Sequence, residues 1–316
     1  MIIKSNVQNN QIKDYQFSII TPCFNCSNTI KDVFESLSAL SNRNFEWIVI
    51  NDASSDNTES LIDQFLCDAK FDITFVSLQE NKMATYCYHL GIEKAIGQFL
   101  IFLDHDDQIK PYALDRFIEN WDSLSPNQKE NVAGMMALCE DENGKIVGTK
   151  FPRSPDINSF FNLMFDEGLR GEKFFCYKTS VMKENNFKLV DRYVPESNVM
   201  YRISAIYKTL FFNEALRVYN QPKLNGDNLT NMNSFEYPTG FRLHFLDLLN
   251  NYRFKFRLRI LFSFLFNYSL YSFSSKHNLR TCLNDLNSLS HKLFLIPIYL
   301  SSRVLTSFKS NLSSFR

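Results

Sequence analysis

The chain has no glycine-rich phosphate cradle. Neither GxGxxG nor GxxxxGK[ST] occurs in its 316 residues, which removes the two commonest sequence signatures of a strand-to-helix turn wrapped around phosphates. Long hydrophobic runs are also missing. The opening MIIKSNVQNNQIKDYQ holds no apolar stretch of signal-peptide length, so a cytoplasmic setting is expected. Residues 260–275 carry no charge but include five serines and one asparagine. That segment is too short and too polar for a bilayer span, which needs about 20 apolar residues. Leu293–Leu300 is shorter still and contains Pro297. Acids nearly vanish from the last quarter. Residues 241–316 hold Asp247 and Asp285 against eleven Lys and Arg, about +9, so residues 1–240 carry about −9 in a chain of zero net charge. Such asymmetry points to a basic tail that meets an anionic partner. Nucleic acid is not the expected partner.

Cysteine usage excludes a disulfide framework. The seven cysteines are odd in number and sit mostly in apolar or helical context, as reduced thiols do. Cys23-Phe24-Asn25-Cys26 has redox-motif spacing. No helix clearly starts at the first cysteine to lower its pKa, so a redox role is the lesser expectation.

At 45% hydrophobic and 22% charged residues, the chain is globular with a sizeable core. Phe17–Ile20 is a short strand ended by Thr21-Pro22. A helix follows with apolar positions at Ile30, Val33, Phe34, Leu37 and Leu40. Phe45–Ile50 is a second strand, stopping at the polar run Asn51–Asp56, and a helix follows to about Asp68. Ile73–Leu78 is a third strand, and Met83, Tyr86, Cys87, Leu90 and Gly91 mark the inner face of a third helix. Phe99–Leu103 is a fourth strand, followed by a helix through Leu114, Phe117, Ile118 and Trp121. Continuously apolar strands alternating with helices specify a mostly parallel sheet covered on both faces. Ligands bind such sheets outside the carboxyl ends of the strands. Three polar clusters fall there: Thr21–Asn25, Asn51–Asp56 and Asp104–Asp107.

The last of these is the most informative. Asp104, Asp106 and Asp107 stand within four residues at the end of a buried strand. Such groups repel one another and lose solvation, and a divalent cation with a taste for hard oxygen ligands, Mg²⁺ or Mn²⁺, offsets both costs. The alternative is a solvated acidic turn with Asp107 capping the next helix. Beyond residue 130 the alternation breaks. Val132–Cys139 and Lys145–Gly148 read as a hairpin and Lys173–Tyr177 as a strand. Glu196–Lys208 reads as a helix, followed by strands at Leu210–Asn213 and Leu216–Tyr219. From residue 235, Phe241, Phe245, Leu248, Leu249, Tyr252 and Phe256 form an apolar helical face interleaved with Arg242, Arg253, Lys255, Arg257 and Arg259. This fits a basic amphipathic layer at an anionic membrane surface, or a helical cap on the main domain. The expected domains are 1–234 and a basic helical region, 235–316.

Three ordered stretches, SIITPCFNCSNTI, FEWIVINDASSDNT and NKMATYCYHLGIEKAIGQFLIFLDHDD, resemble the family 2 glycosyltransferases of GT-A fold. The resemblance is strong over residues 17–112 and weak over 170–230. It implies an α/β fold with a Rossmann-like, mostly parallel sheet and a C-terminal helical extension. It implies a metal-dependent, inverting hexosyl or N-acetylhexosaminyl transfer from a nucleotide-sugar to a glycan or lipid-linked acceptor. The implied context is surface polysaccharide synthesis, peripheral on the cytoplasmic face of a bacterial membrane. By position, Thr21 and Pro22 match the loop lining the nucleoside pocket. Asp52 matches the acid that accepts from the base, in a UDP-sugar or a GDP-sugar. Asp104 matches the acid near the ribose and Asp106 the direct metal ligand. Lys82 is placed to add positive charge near the diphosphate. Tyr88-His89 stands where the family often has Arg-Asn, and His89 is expected to be a packing residue. Glu196 is the acid in place for the catalytic base, with Asp191 the nearest substitute. The competing readings are a DxD phosphatase and a catalytically degenerate membrane-bound scaffold. The first fits poorly, because three strand–helix units precede the motif. The second is opposed by retention of Asp52, Asp104, Asp106 and Glu196.

Overall fold

The computed structural model describes residues 1–7, 13–220, 232–251 and 258–313. After β1 (Ile2–Ser5), the first half follows the expected alternation: β2 (Phe17–Cys23), α1 (Ile30–Ser38), β3 (Phe45–Asn51), α2 (Thr58–Asp68), β4 (Asp72–Ser77), α3 (Met83–Lys94) and β5 (Phe99–Phe102). It continues with β6 (Gln108–Ile109), α4 (Ala113–Asp122), α5 (Pro126–Asn131), β7 (Val132–Glu140), β8 (Asp156–Asn158), α6 (Phe160–Phe165), β9 (Lys173–Lys178), α7 (Thr179–Glu184), α8 (Ser197–Ile206) and β10 (Lys208–Val218). The strands form one sheet in the order β1-β4-β3-β2-β5-β9-β7-β10-β6, with β8 on β10. Strands β4, β3, β2 and β5 are parallel. β9 joins antiparallel to β5 and turns the sheet into a mixed one.

The period of two along each central strand sorts its side chains to two faces. Phe17, Ile19, Phe45, Trp47, Val49, Ile73, Phe75, Phe99 and Ile101 belong to one core cluster, with Val33 and Leu37 of α1, Phe65 of α2 and Phe117 of α4. Phe34 stacks on Phe65 with ring centroids 4.2 Å apart. On the other face α3 lies close to β2. A Cβ at Gly91 would stand 2.5 Å from Ile20 Cγ2, so only glycine permits that approach.

Several expectations are corrected. β1 was not anticipated: Ile2 and Ile3 are about half exposed and show no period, yet they pair antiparallel with β4. The hairpin expected after Val132–Cys139 shrinks to a single bridge, Glu140 with Ile146, because β7 takes its partners from β9 and β10. The two strands expected over 210–219 are one strand, β10. Its register against β7 shifts between Phe211 and Ala215, so the polar residues there form an irregularity, not a turn. The first strand does not end at Thr21-Pro22 but runs on to Cys23. Ile20 accepts from Leu103 on the β5 side, while Cys23 accepts from Asp52 on the β3 side. By alternation the missing N–H of Pro22 points where β5 has already ended, so the ladder loses nothing there.

Contacts divide the chain into two compact units, Met1–Phe187 with Ile206–Leu224, and Lys188–Ala205 with Asn225–Arg316. The first contains the sheet. The second is helical: most of α8, then α9 (Pro238–Asn251), α10 (Leu258–Ser274), α11 (Leu279–Asp285) and α12 (Leu289–Ser313). It has its own buried residues, among them Leu248, Leu249, Leu265, Tyr268, Cys282 and Leu295. Arg242 is not the surface cation that the sequence pattern suggested. It is buried, donating to Ser272 Oγ at 3.1 Å and Tyr268 Oη at 3.2 Å and pairing with Asp285. Arg253, Lys255 and Arg257, with Tyr252 and Phe256, lie outside the described residues. No helix among the described residues is long and apolar enough to cross a membrane.

Candidate active site

Past the carboxyl ends of β2, β3 and β4 stand three non-glycine residues with positive φ: Asn25 (50°) and Ala53 (57°) in loops, and Met83 (69°) at the first position of α3. Left-handed backbone in such residues is uncommon and persists where the surroundings hold it, often at functional sites. Here the bonds that hold it are visible. The side-chain carbonyl of Asn25 accepts from the backbone N–H of Ser55 at 2.8 Å, and Ser54 Oγ accepts from that of Asn25 at 2.9 Å. The Asp52 carboxylate accepts the backbone N–H groups of Lys82 and Met83 at 2.6 and 2.7 Å. Asp52 thereby ties the end of β3 to the first turn of α3.

Asp52 is 3% exposed. Burial together with the Asp52 charge raises the pKa of the neighbouring Cys87 thiol. Thr21 is fully buried, and its hydroxyl accepts from the Trp47 indole N–H at 2.9 Å. With Pro22 it lies inside β2, so Thr21 meets the core with its side chain and not a loop cavity. The Lys82 ammonium pairs with Glu80. Cys23 and Cys26 are buried free thiols, and burial drives the Cys23 pKa well upward. That is the opposite of what a redox cysteine needs.

The acidic loop between β5 and β6 is the most elaborate part of the site. Asp104 accepts from the Tyr88 hydroxyl and from Arg217 Nη2, the latter at 3.2 Å. Asp107 is fully buried, forms an ion pair with Arg217, and accepts the backbone N–H of Asn220 at 2.9 Å. Burial pushes the Asp107 pKa up to about 7 against the pull of Arg217. Asp106 has no ion-pair partner among the described residues. Burial raises its pKa, with the charge of Asp104 adding to the rise while His105 and Arg217 oppose it. His105 itself meets the Thr29 hydroxyl at 3.1 Å.

These residues suit a hard divalent cation. Asp106 is a half-buried carboxylate with no ion-pair partner among the described residues, it offers oxygen donors, and the charge of Asp104 acts on it. Among the described residues no group of three or more His, Cys, Asp or Glu is arranged to hold a metal alone. Mg²⁺ in particular is commonly held by one or two carboxylates together with substrate phosphates.

The sequence pattern did not single out Arg217 or Asn220, and marked Tyr88 only as a departure from the family's usual pair. Arg217 reads as one more strand residue, and its signal is only that a charged side chain falls at a buried position, 6% exposed, in an apolar strand. Tyr88, noted as a departure, puts its hydroxyl on Asp104, while His89 packs as expected, its Nδ1 3.1 Å from the Phe187 carbonyl. Glu172, at the start of β9, adds a carboxylate whose charge acts on Arg217.

Glu196 belongs to the helical unit. It immediately precedes α8 and is partly exposed, and its charge, after burial, raises the pKa of the Tyr193 hydroxyl. Asp191, in the same unit, accepts the backbone N–H groups of Thr239 and Gly240 at 3.0 and 3.1 Å and so caps α9.

Comparison with known proteins follows the same outline. TuaG of Bacillus subtilis (strain 168), a putative teichuronic acid biosynthesis glycosyltransferase, is 34% identical over 172 residues, which is 53% of this chain and 62% of TuaG. A teichoic acid poly(glycerol phosphate) polymerase of Staphylococcus epidermidis is 27% identical over 108 residues, 34% of this chain and 15% of that protein. This chain therefore spans less than two thirds of either relative. Among solved structures, S. aureus TarS 1–349 in complex with UDP-GlcNAc matches with a TM-score of 0.62 at 17% identity, covering 90% of this chain and 79% of TarS 1–349. The mannosyltransferase PcManGT from Pyrobaculum calidifontis, with GDP-Man and Mn²⁺, matches with a TM-score of 0.52 at 16% identity, over 95% of this chain and 85% of that one. At such identities the likeness is one of fold, and it is the GT-A fold. The family model described as glycosyl transferase family 2 matches residues 18–188, more than half of the chain and every loop built around Asp52 and Asp104–Asp107, and the chain belongs to that family.

Proposed function

We propose that this chain transfers a sugar from a UDP-sugar to a glycan or lipid-linked acceptor during bacterial surface polysaccharide synthesis, with inversion and with Mn²⁺ or Mg²⁺. The observation that carries the reading is Asp106, a half-buried carboxylate with no ion-pair partner among the described residues, in the acidic loop that follows β5. Asp52 accepts an N–H of the base while fixing the α3 start. Pro22 and the backbone around Thr21 border the nucleoside, and Lys82 turns from Glu80 towards the diphosphate. Asp104 lies near the ribose, and Asp106, with Asp104 beside it, holds the cation. When bound, the cation neutralises charge that builds on the departing diphosphate. Glu196 takes the proton of the acceptor hydroxyl as the new C–O bond forms, help worth roughly 10²–10⁴-fold. A single displacement of this kind inverts the anomeric centre.

A panel of UDP- and GDP-sugars with the full chain tests this. Donor hydrolysis or transfer is expected with a UDP-sugar in Mn²⁺ or Mg²⁺ and not in EDTA. Equal turnover in EDTA would remove the cation from the reading, and turnover of GDP-sugars alone would replace the base.

We also infer that the helical unit rests on the cytoplasmic face of the membrane. On α12, Leu289, Leu293, Ile296 and Leu300 recur at helical spacing and are 73%, 62%, 39% and 55% exposed. Phe262 of α10, 42% exposed, joins them through Phe294, ring centroids 5.4 Å apart. An apolar stripe in a segment carrying about +9 suits an anionic bilayer surface, where each nearby Lys or Arg adds about 1 kcal/mol. The doubly substituted Leu293→Glu, Leu300→Glu chain should lose flotation with phosphatidylglycerol vesicles and keep its melting temperature. Unchanged flotation would refute the assignment.

A further inference from the structure

We propose that Arg217, assisted by Asn220, is a positioning residue that decides which carboxylate of Asp104-His105-Asp106-Asp107 meets the cation. The inference rests on the metal-dependent reading above. Three acids in four residues offer a cation several competing arrangements. The structure removes all but one. Asp104 is taken by the Tyr88 hydroxyl and by Arg217, and Asp107 by Arg217 and the backbone N–H of Asn220. Asp106 is left without an ion-pair partner among the described residues, and its carbonyl is held by the Asn220 side-chain amide. Asn220 thus fixes the peptide from which the Asp106 side chain projects.

Arg217 is well placed for this task. Its backbone pairs with Ile109 of β6, directly after the acidic loop, and with Cys139 of β7. Its guanidinium lies over the rings of Phe174 and Tyr219, 5.9 and 5.3 Å from their centroids. At 6% exposure it sits behind the carboxylates and acts through them. One nitrogen, Nη2, at the far end of the side chain, reaches both Asp104 and Asp107, and a lysine ammonium at the same site ends one bond short of it. One consequence is that, among the described residues, the acidic loop presents one carboxylate without an ion-pair partner, Asp106. Cation affinity then depends on phosphates arriving with the nucleotide.

Titration calorimetry with UDP, in Mn²⁺ and in EDTA, tests this on the full chain. The readout is the ratio of the two affinities. Arg217→Lys keeps the charge but ends one bond short of the nitrogen that meets both carboxylates. Asn220→Ala leaves the ion pair whole and releases only the Asp106 carbonyl, which keeps the test valid should the buried arginine variant fail to fold. In both, the Mn²⁺-dependent gain should fall roughly tenfold or more, the usual effect of removing a group that orients a metal ligand, while affinity in EDTA stays unchanged. Variants that retain the wild-type gain would overturn the proposal. So would an equal loss in Mn²⁺ and EDTA, which would mean that the two residues only maintain the fold. If the unmodified chain gains nothing from Mn²⁺, the metal-dependent reading falls and this inference with it.

Discussion

Asp106→Ala is expected to abolish the metal-dependent part of nucleotide binding while leaving the fold intact. UDP affinity in Mn²⁺ should drop at least tenfold, about 1.4 kcal/mol, to the value measured in EDTA. The two halves of this expectation have separate causes. Function is lost because Asp106 is the one acid of its loop without an ion-pair partner among the described residues, and so the one positioned to give its oxygens to a cation. Stability is kept because burial already disfavours the ionised Asp106, whose pKa it raises. Deleting that carboxyl removes a cost and orphans no partner. Asp107→Ala supplies the contrast. Asp107 is fully buried against Arg217, and removing one member of a buried pair costs roughly 3–5 kcal/mol by leaving the other uncompensated. That variant should melt at a markedly lower temperature. If Asp106→Ala binds UDP in Mn²⁺ as tightly as the parent, the cation does not sit on Asp106. If it instead unfolds like Asp107→Ala, the acid is structural.

The acidic loop was legible because its chemistry is local: three carboxylates at the end of an apolar strand need neither a third dimension nor a partner to be noticed. The parallel core was legible for the same reason, since period and apolar runs are properties of short segments. What escaped lies in long-range pairing. Arg217 is 113 residues from Asp104 in sequence, and nothing in LFFNEALRVYN tells a buried cation from an exposed one. The continuity of β10 escaped because Asn213 and Glu214 resemble a turn, while in the fold their polarity is spent on Phe151 and Arg116. Asp52 was assigned to the base on position alone. The structure adds that it ties α3 to β3, so Asp52→Ala should lower the melting temperature as well as nucleotide affinity. Arg242 was counted among membrane-facing cations because its spacing is that of an amphipathic helix. Its burial against Asp285 depends on α10 and α11, which spacing does not reveal.

Glu196→Gln is expected to lower kcat for transfer by two orders of magnitude or more, with UDP affinity and melting temperature nearly unchanged. Pro195 has a fixed φ and disfavours helical backbone at Val194. α8 therefore starts at Ser197 with Glu196 immediately before it, and the carbonyls of Pro195 and Glu196 accept from Asn198 and Val199 at 2.9 and 3.2 Å. The carboxylate thus projects from a defined backbone, as a general base must. The same position also serves a plainer purpose: an acid beside a helix N-terminus gains roughly 0.3–1 kcal/mol from the helix dipole. Glutamine separates the two, because it keeps length and polarity, loses the dipole gain, and cannot take a proton. A small loss of stability with transfer intact would make Glu196 a helix-terminal charge and nothing more. Asp191→Asn is the paired measurement, and the structure makes it a clean one. Asp191 spends its carboxylate on the N–H groups of Thr239 and Gly240, and asparagine caps a helix about as well as aspartate. The variant should therefore fold and transfer normally. Transfer lost in Asp191→Asn, with melting unchanged and Glu196→Gln active, would move the base to Asp191, because the cap survives that substitution and only the proton acceptor has gone.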